Sequence, residues 1–228
     1  MIRIGALVYP GMDQLDFTGP FEVLVRMDDA ECCLIWKNLE PIRDVAGLAF
    51  LPDTRLEDAP ALDVLVVPGG PGQEALMHDE SVLAFVRSAG TSARFVLSVC
   101  TGALLCGAAG LLHGKRATTH WASIHLLQHF GARTTDERVV VDGNFVSSAG
   151  VTSGIDAALQ VAALAQGQAV AERIALAIEY APEPPFGHGT PRHSRPEIVA
   201  AVTEALAPIV TAREKTAHAY RNLPRGLG

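Results

Sequence analysis

Three short apolar runs, each cut off by a strand-ending residue, constrain this chain more than any other feature. They are residues 2–8, Val64–Val67 and Phe95–Val99. None alternates with polar residues, so each reads as a strand covered on both faces, as in a parallel sheet. The second run stops at Pro68-Gly69-Gly70-Pro71-Gly72, and the third at Cys100-Thr101-Gly102. A further strand is expected at residues 33–36. Residues 138–141 and 145–147 flank Asp142-Gly143-Asn144 and read as a hairpin. Helical spacing follows Pro20 (Phe21, Leu24, Val25) and recurs over residues 81–92, 101–109, 124–130, 153–165 and 169–180. Strand and helix thus alternate through residues 1–180. The pattern predicts one doubly wound α/β domain, with a mainly parallel sheet flanked by helices in the flavodoxin-like manner.

Residues 181–228 form a separate stretch. Ala181-Pro182-Glu183-Pro184-Pro185-Phe186 cannot continue a helix and reads as a Pro-rich linker. His188 and His193 follow it and read as solvated, and residues 223–228 as a frayed end. Between them, residues 198–217 predict a C-terminal helix. Its Ile198, Val199, Val202, Leu206, Ile209 and Val210 form an apolar face that packs either on the same domain or on a partner. A homodimer is the expectation.

Charge excludes some functions. A net charge of −7 with 18 Lys and Arg argues against a basic face for nucleic acid. No apolar run has the length of a membrane span, and the N-terminal run is too short for a signal peptide. No membrane association and a cytoplasmic location are expected. The four cysteines, Cys32, Cys33, Cys100 and Cys106, lack zinc spacing and read as free thiols.

In open α/β sheets ligands bind beyond the carboxyl ends of strands. Cys100 falls there, where a buried strand turns into a helix. Such an elbow lifts a side chain above the sheet edge, and the helix start favours thiolate over thiol. Cys106, inside the same helix, reads as a small buried hydrophobe. Asp16, between the first strand and the expected first helix, is placed above the same edge and could hold or relay a proton. Taken alone it reads equally as a carboxylate stabilising a helix start. Gly69 and Gly70 could offer backbone N–H groups to a ligand, or simply make a turn. His120, in Thr118-Thr119-His120-Trp121, could pair with Cys100 or be structural, since the sequence does not fix their distance.

In combination these segments resemble the DJ-1/PfpI superfamily of class I glutamine amidotransferase-like domains. The residues that carry the resemblance are Leu15-Asp16-Phe17-Thr18-Gly19-Pro20, Val67-Pro68-Gly69-Gly70, Ser98-Val99-Cys100-Thr101-Gly102-Ala103, and 114–121 through Thr119-His120-Trp121. Within the superfamily the chain is most similar to the isocyanide hydratases. Leu34-Ile35-Trp36-Lys37 and the segment from Glu179 to Phe186 add to that likeness. The resemblance implies a homodimer, a nucleophilic Cys100 and an acid/base Asp16, with Thr101, Gly69, Gly70 and His120 as supporting or substrate-positioning residues. It also implies a small isocyanide substrate hydrated through a Cys100 thioimidate, with no metal or organic cofactor. PfpI-type proteases carry His where this chain has Thr101, and glyoxalases of the superfamily carry Glu where it has Asp16. AraC-type regulators share the C-T-G-A and T-T-H-W patterns but add a helix-turn-helix region. A non-catalytic thiol sensor or small-molecule-binding domain is therefore the second reading.

Overall fold

The computed structural model describes residues 1–186 and 189–221. The expectations for His188 and for residues 223–228 lie outside them. The apolar runs become the centre of the molecule. β1 (Ile2–Leu7) is buried from Ile4 onward. β2 (Ala30–Trp36) starts earlier than expected and is only half-buried until its end, as befits a strand on the sheet's flank. β3 (Ile42–Arg43) and β4 (Ala49–Phe50) make a small antiparallel ribbon. β5 (Thr54–Arg55) is a short edge strand. β6 (Val64–Val67) and β7 (Phe95–Val99) are buried at every residue. β8 (Arg116–Ala117) and β9 (Arg133–Thr134) pair outside the main sheet. β10 (Val139–Asp142) and β11 (Phe145–Ser148) form the expected hairpin.

The main sheet runs β10-β11-β7-β6-β1-β2-β5, parallel throughout except between β10 and β11. The carboxyl ends of β1, β6 and β7 therefore lie side by side. Around the sheet are α1 (Gln14–Leu24), α2 (Gln73–Leu76), α3 (Glu80–Ser92), α4 (Gly102–Ala108), α5 (Ser153–Gln166) and α6 (Gln168–Ala177). α7 (Pro196–Arg221) follows the linker.

Three boundaries differ from expectation in ways that matter. α1 begins at Gln14, capped by Asp13, whose Oδ1 accepts from the Leu15 N–H at 3.3 Å. Pro20 sits inside the helix, which tolerates the lost donor to the Asp16 carbonyl. Asp16 is consequently in the first turn of α1, not in a loop before it. Residues 124–130 belong to a 3-10 segment that starts at Trp121 and ends at Phe130, closed by Gly131 at φ 77°. α6 stops at Ala177, because Glu179 turns to φ 50° and the Tyr180 hydroxyl donates to Asp156 Oδ1 at 2.9 Å.

α7 is split in its environment. Its first half is exposed, with Ile198 at 44% and Val202 at 41%. Its second half buries Arg213, Thr216 and Ala217 against the same chain's 3-10 segment and α2. Among the described residues no helix is long and apolar enough to cross a membrane.

Candidate active site

β7 ends at Val99, α4 starts at Gly102, and the turn between them falls on Cys100. Cys100 has φ 52°, a left-handed conformation that side chains other than glycine rarely adopt and that strand–turn–helix elbows impose. The geometry is over-determined. The Cys100 N–H donates to Ser148 O on β11 at 3.2 Å, and Thr119 Oγ1 donates to the Cys100 carbonyl at 2.6 Å. At Gly102 a Cβ would lie 2.1 Å from the Val67 carbonyl oxygen, so only glycine lets α4 start this close to β6. The sulfur-bearing residue is only 6% exposed.

Asp16 enters the same place from α1 and is fully buried. Its Oδ2 accepts from the Gly69 N–H at 2.9 Å, while Oδ1 has no hydrogen-bond partner. Burial, reinforced by the nearby Asp13 charge, pushes the Asp16 carboxyl up to about 7, although the Gly69 N–H and the Cys100 thiol pull it down. Burial and the Asp16 charge also push the Cys100 thiol well above its ordinary value, against the Thr101 N–H and the Arg213 charge. This corrects the expectation that the helix start alone would favour thiolate. α4 has only seven residues, and desolvation outweighs its dipole. The two groups are coupled, so above about pH 7 they hold one proton between them.

The two glycines serve this pair from behind. Gly69 gives its N–H to Asp16, and a Cβ there would sit 2.5 Å from Thr101 N and 3.0 Å from Asp16 Oδ2. Gly70 gives its N–H to Thr101 Oγ1 at 3.2 Å. Both amides are engaged within the protein, so they position Asp16 and Thr101 instead of presenting free donors. The fully buried Tyr9 hydroxyl donates to the carbonyls of Pro68 at 2.7 Å and Gly69 at 2.8 Å, fixing the turn.

His120 is engaged in its own segment. Its Nδ1 accepts from the Ala122 N–H at 3.3 Å, capping the 3-10 segment, and its ring lies 5.5 Å from Trp121. Burial and the Arg213 charge lower its pKa and keep it neutral. Among the described residues it makes no hydrogen bond to Cys100; Thr119 makes that contact instead, through the backbone. Cys106 is buried within α4 with its thiol pushed far up by desolvation, and burial pushes Cys32 up to about 12. All four thiols are free. No group of three or more His, Cys, Asp or Glu among the described residues could hold a metal ion.

The residue that sequence reasoning missed is Arg213. It is 6% exposed, and its Nη2 donates to the Gly70 carbonyl at 3.0 Å and to Thr101 Oγ1 at 3.3 Å. One sequence signal was available. Arg213 is the first basic residue after Pro196 in a helix otherwise rich in Ala, Val and Ile.

Two known proteins resemble this chain over nearly its whole length, and a third over most of it. The isonitrile hydratase of Pseudomonas putida is 47% identical over 93% of this chain and 93% of its own. A ThiJ/PfpI family protein from Pseudomonas syringae superposes with a TM-score of 0.92 at 38% identity, covering 95% of this chain and 90% of that one. A DJ-1 superfamily protein from Salmonella typhimurium matches at TM-score 0.69 and 25% identity. All of that chain is covered, but only 80% of this one. The model of the DJ-1/PfpI family matches residues 2–164, which contain the sheet, the Cys100 elbow and Asp16, and the chain belongs to that family.

Proposed function

We propose that the protein is an isocyanide hydratase, adding water to R–N≡C to give an N-substituted formamide. The observation that carries the reading is the buried pair itself. Asp16 presents one carboxylate oxygen tied to Gly69 and one without a partner, beside a cysteine held up on a strained elbow. Similarity to an isonitrile hydratase over nearly the full chain supports it.

An isocyanide carbon both accepts a nucleophile and needs a proton, and a pair sharing one proton supplies both. With the proton on Asp16, the Cys100 thiolate attacks the terminal carbon, and Asp16 protonates that carbon, giving the thioimidate Cys–S–CH=N–R. The ionised Asp16 then takes a proton from water while the hydroxide adds to the same carbon. That proton passes to the nitrogen, giving Cys–S–CH(OH)–NHR. Collapse breaks the C–S bond, sends the hydroxyl proton back to Asp16 and releases O=CH–NHR. Thiolate and protonated carboxyl are regenerated, so the sequence balances without redox or metal chemistry. Thr101, fixed by Gly70 and Arg213, holds the elbow's far side. The reading includes a cytoplasmic homodimer that acts on a small molecule and not on nucleic acid.

Wild-type protein given cyclohexyl isocyanide should release N-cyclohexylformamide over many turnovers with no added metal or nucleotide, followed by NMR. Cys100→Ala should release none. Formation of only one equivalent per site would overturn the hydratase reading in favour of a thiol sensor.

A further inference from the structure

Arg213 is the only buried arginine among the described residues, and no carboxylate there lies within salt-bridge distance of it. A desolvated cation with no carboxylate in direct contact, only the more distant Glu74 charge, is costly to keep, and it is placed to meet negative charge at the neighbouring pair. The fork is aimed by two hydrogen bonds, to the Gly70 carbonyl and to Thr101 Oγ1, both next to the reacting pair. Its Nε is buried with no partner. The rest of α7 secures this placement. Thr216, three residues on, donates to Glu74 Oε1 at 2.7 Å, and Tyr220, a further turn on, donates to the Met77 carbonyl. Arg213, Thr216, Ala217 and Tyr220 therefore share one helix face, docked beside the elbow. The family model stops at residue 164, short of this helix.

We infer that Arg213 is a positioning residue of the proposed hydration: α7 sets its positive charge against the Cys100 sulfur, giving the attacking thiolate a counter-charge and making the C-terminal helix part of the site. The inference takes its reaction from the hydratase reading but can be tested without it. The groups facing Cys100 are Asp16 on α1, its neighbour Asp13, Tyr9 after β1, Thr101 and Arg213. Of these, only Arg213 carries a positive charge. Arg213 in turn faces Cys100, Tyr9, Glu74 and the neutral His120. Removing it leaves no positive charge among the groups that face the sulfur.

The rate of Cys100 alkylation by iodoacetamide, followed by peptide mapping from pH 6 to 10, reads the thiolate directly. Arg213→Met should lower that rate about tenfold at pH 7.5, equivalent to one unit of thiol ionisation. Arg213→Lys, which keeps the charge, should stay within about threefold of wild type. Hydration kcat should fall and recover in parallel, with KM changing less. If Arg213→Met does not fold, Arg213→Gln carries the same expectation, since it keeps a donor for the Gly70 carbonyl without the charge. An alkylation profile of the neutral variant that matches wild type overturns the inference. So does a Lys variant as slow as Met, which would assign Arg213 to docking alone. A wild type that makes no formamide, with alkylation still slowed by Arg213→Met, would remove the hydratase reading and leave the charge role standing.

Discussion

The elbow and the second half of α7 meet at Thr101, yet different forces hold them there. The elbow is backbone. Cys100 is fixed by the end of β7, by its N–H to Ser148 and by a glycine that starts α4 against the Val67 carbonyl. α7 is docked by side chains: Thr216 on Glu74, Tyr220 on Met77, and the Tyr220 ring 5.3 Å from Phe130. Each such hydrogen bond contributes about 1 kcal/mol. The difference separates two tasks. The sheet and the turns that leave it set where the proposed nucleophile stands and, through the Gly69 N–H, hold the α1 carboxyl proposed to carry the proton. α7 sets the charge around them, through contacts that can vary without disturbing the sheet.

Substitutions should respect that division. Asp16→Asn should cut hydration at least a thousandfold, within the range expected when an acid/base group is lost. It should also stabilise the protein. The folded carboxyl stays protonated up to about pH 7 against 3.8 in the unfolded chain. The folded state thus holds the extra proton between those values, and stability falls as pH rises from about 4 to about 7. Asparagine escapes that loss, so at pH 8 the variant should be more stable by on the order of 2–4 kcal/mol, read from urea unfolding. An unchanged or lower stability would mean that Asp16 does not carry a buried charge.

Gly69→Ala comes next. Its new Cβ meets the Thr101 backbone at 2.5 Å, which cannot yield without moving the elbow. We expect a loss of about 2–4 kcal/mol and most of the activity. Thr216→Val removes the bonds to Glu74 Oε1 and to His78 Nε2, so α7 should loosen by about 1–2 kcal/mol with activity reduced a few-fold. A loss as large as that of Gly69→Ala would break the comparison by making α7 as strict as the elbow. The smallest effect on activity should come from Ile198→Asp with Val202→Asp, on the exposed half of α7. In the proposed homodimer, light scattering should move from twice 24.1 kDa toward 24.1 kDa while hydration stays within about twofold. A wild type already near 24.1 kDa rejects the dimer.

The same contrast explains what the sequence revealed. The sheet and Cys100 were legible because strand, elbow and helix start are contiguous, and residues 95–108 carry every signal. Asp16 was placed correctly above the sheet edge but outside its helix. Pro20 looked like a helix start, while the actual cap, Asp13, lies earlier. His120 shares a motif with Thr119, but of the two it is Thr119 that hydrogen-bonds Cys100, while the histidine ring caps its own segment. Arg213 was not legible as a site residue. Its partners Gly70 and Thr101 are 143 and 112 residues away, and only the docking of α7 brings them together.

The central claim is that Cys100 and Asp16 work as a pair holding one proton. Below about pH 7 the pair carries two protons, Asp16 as acid and Cys100 as thiol, and no thiolate can form from it. Above that value one proton remains, shared between them, until the raised thiol ionises as well. The direct test is the pH dependence of kcat/KM for isocyanide hydration between pH 5 and 9. The account predicts a rise of about tenfold per pH unit up to about pH 7, followed by a plateau. A profile that is flat across this range, or that falls through pH 7, would contradict it.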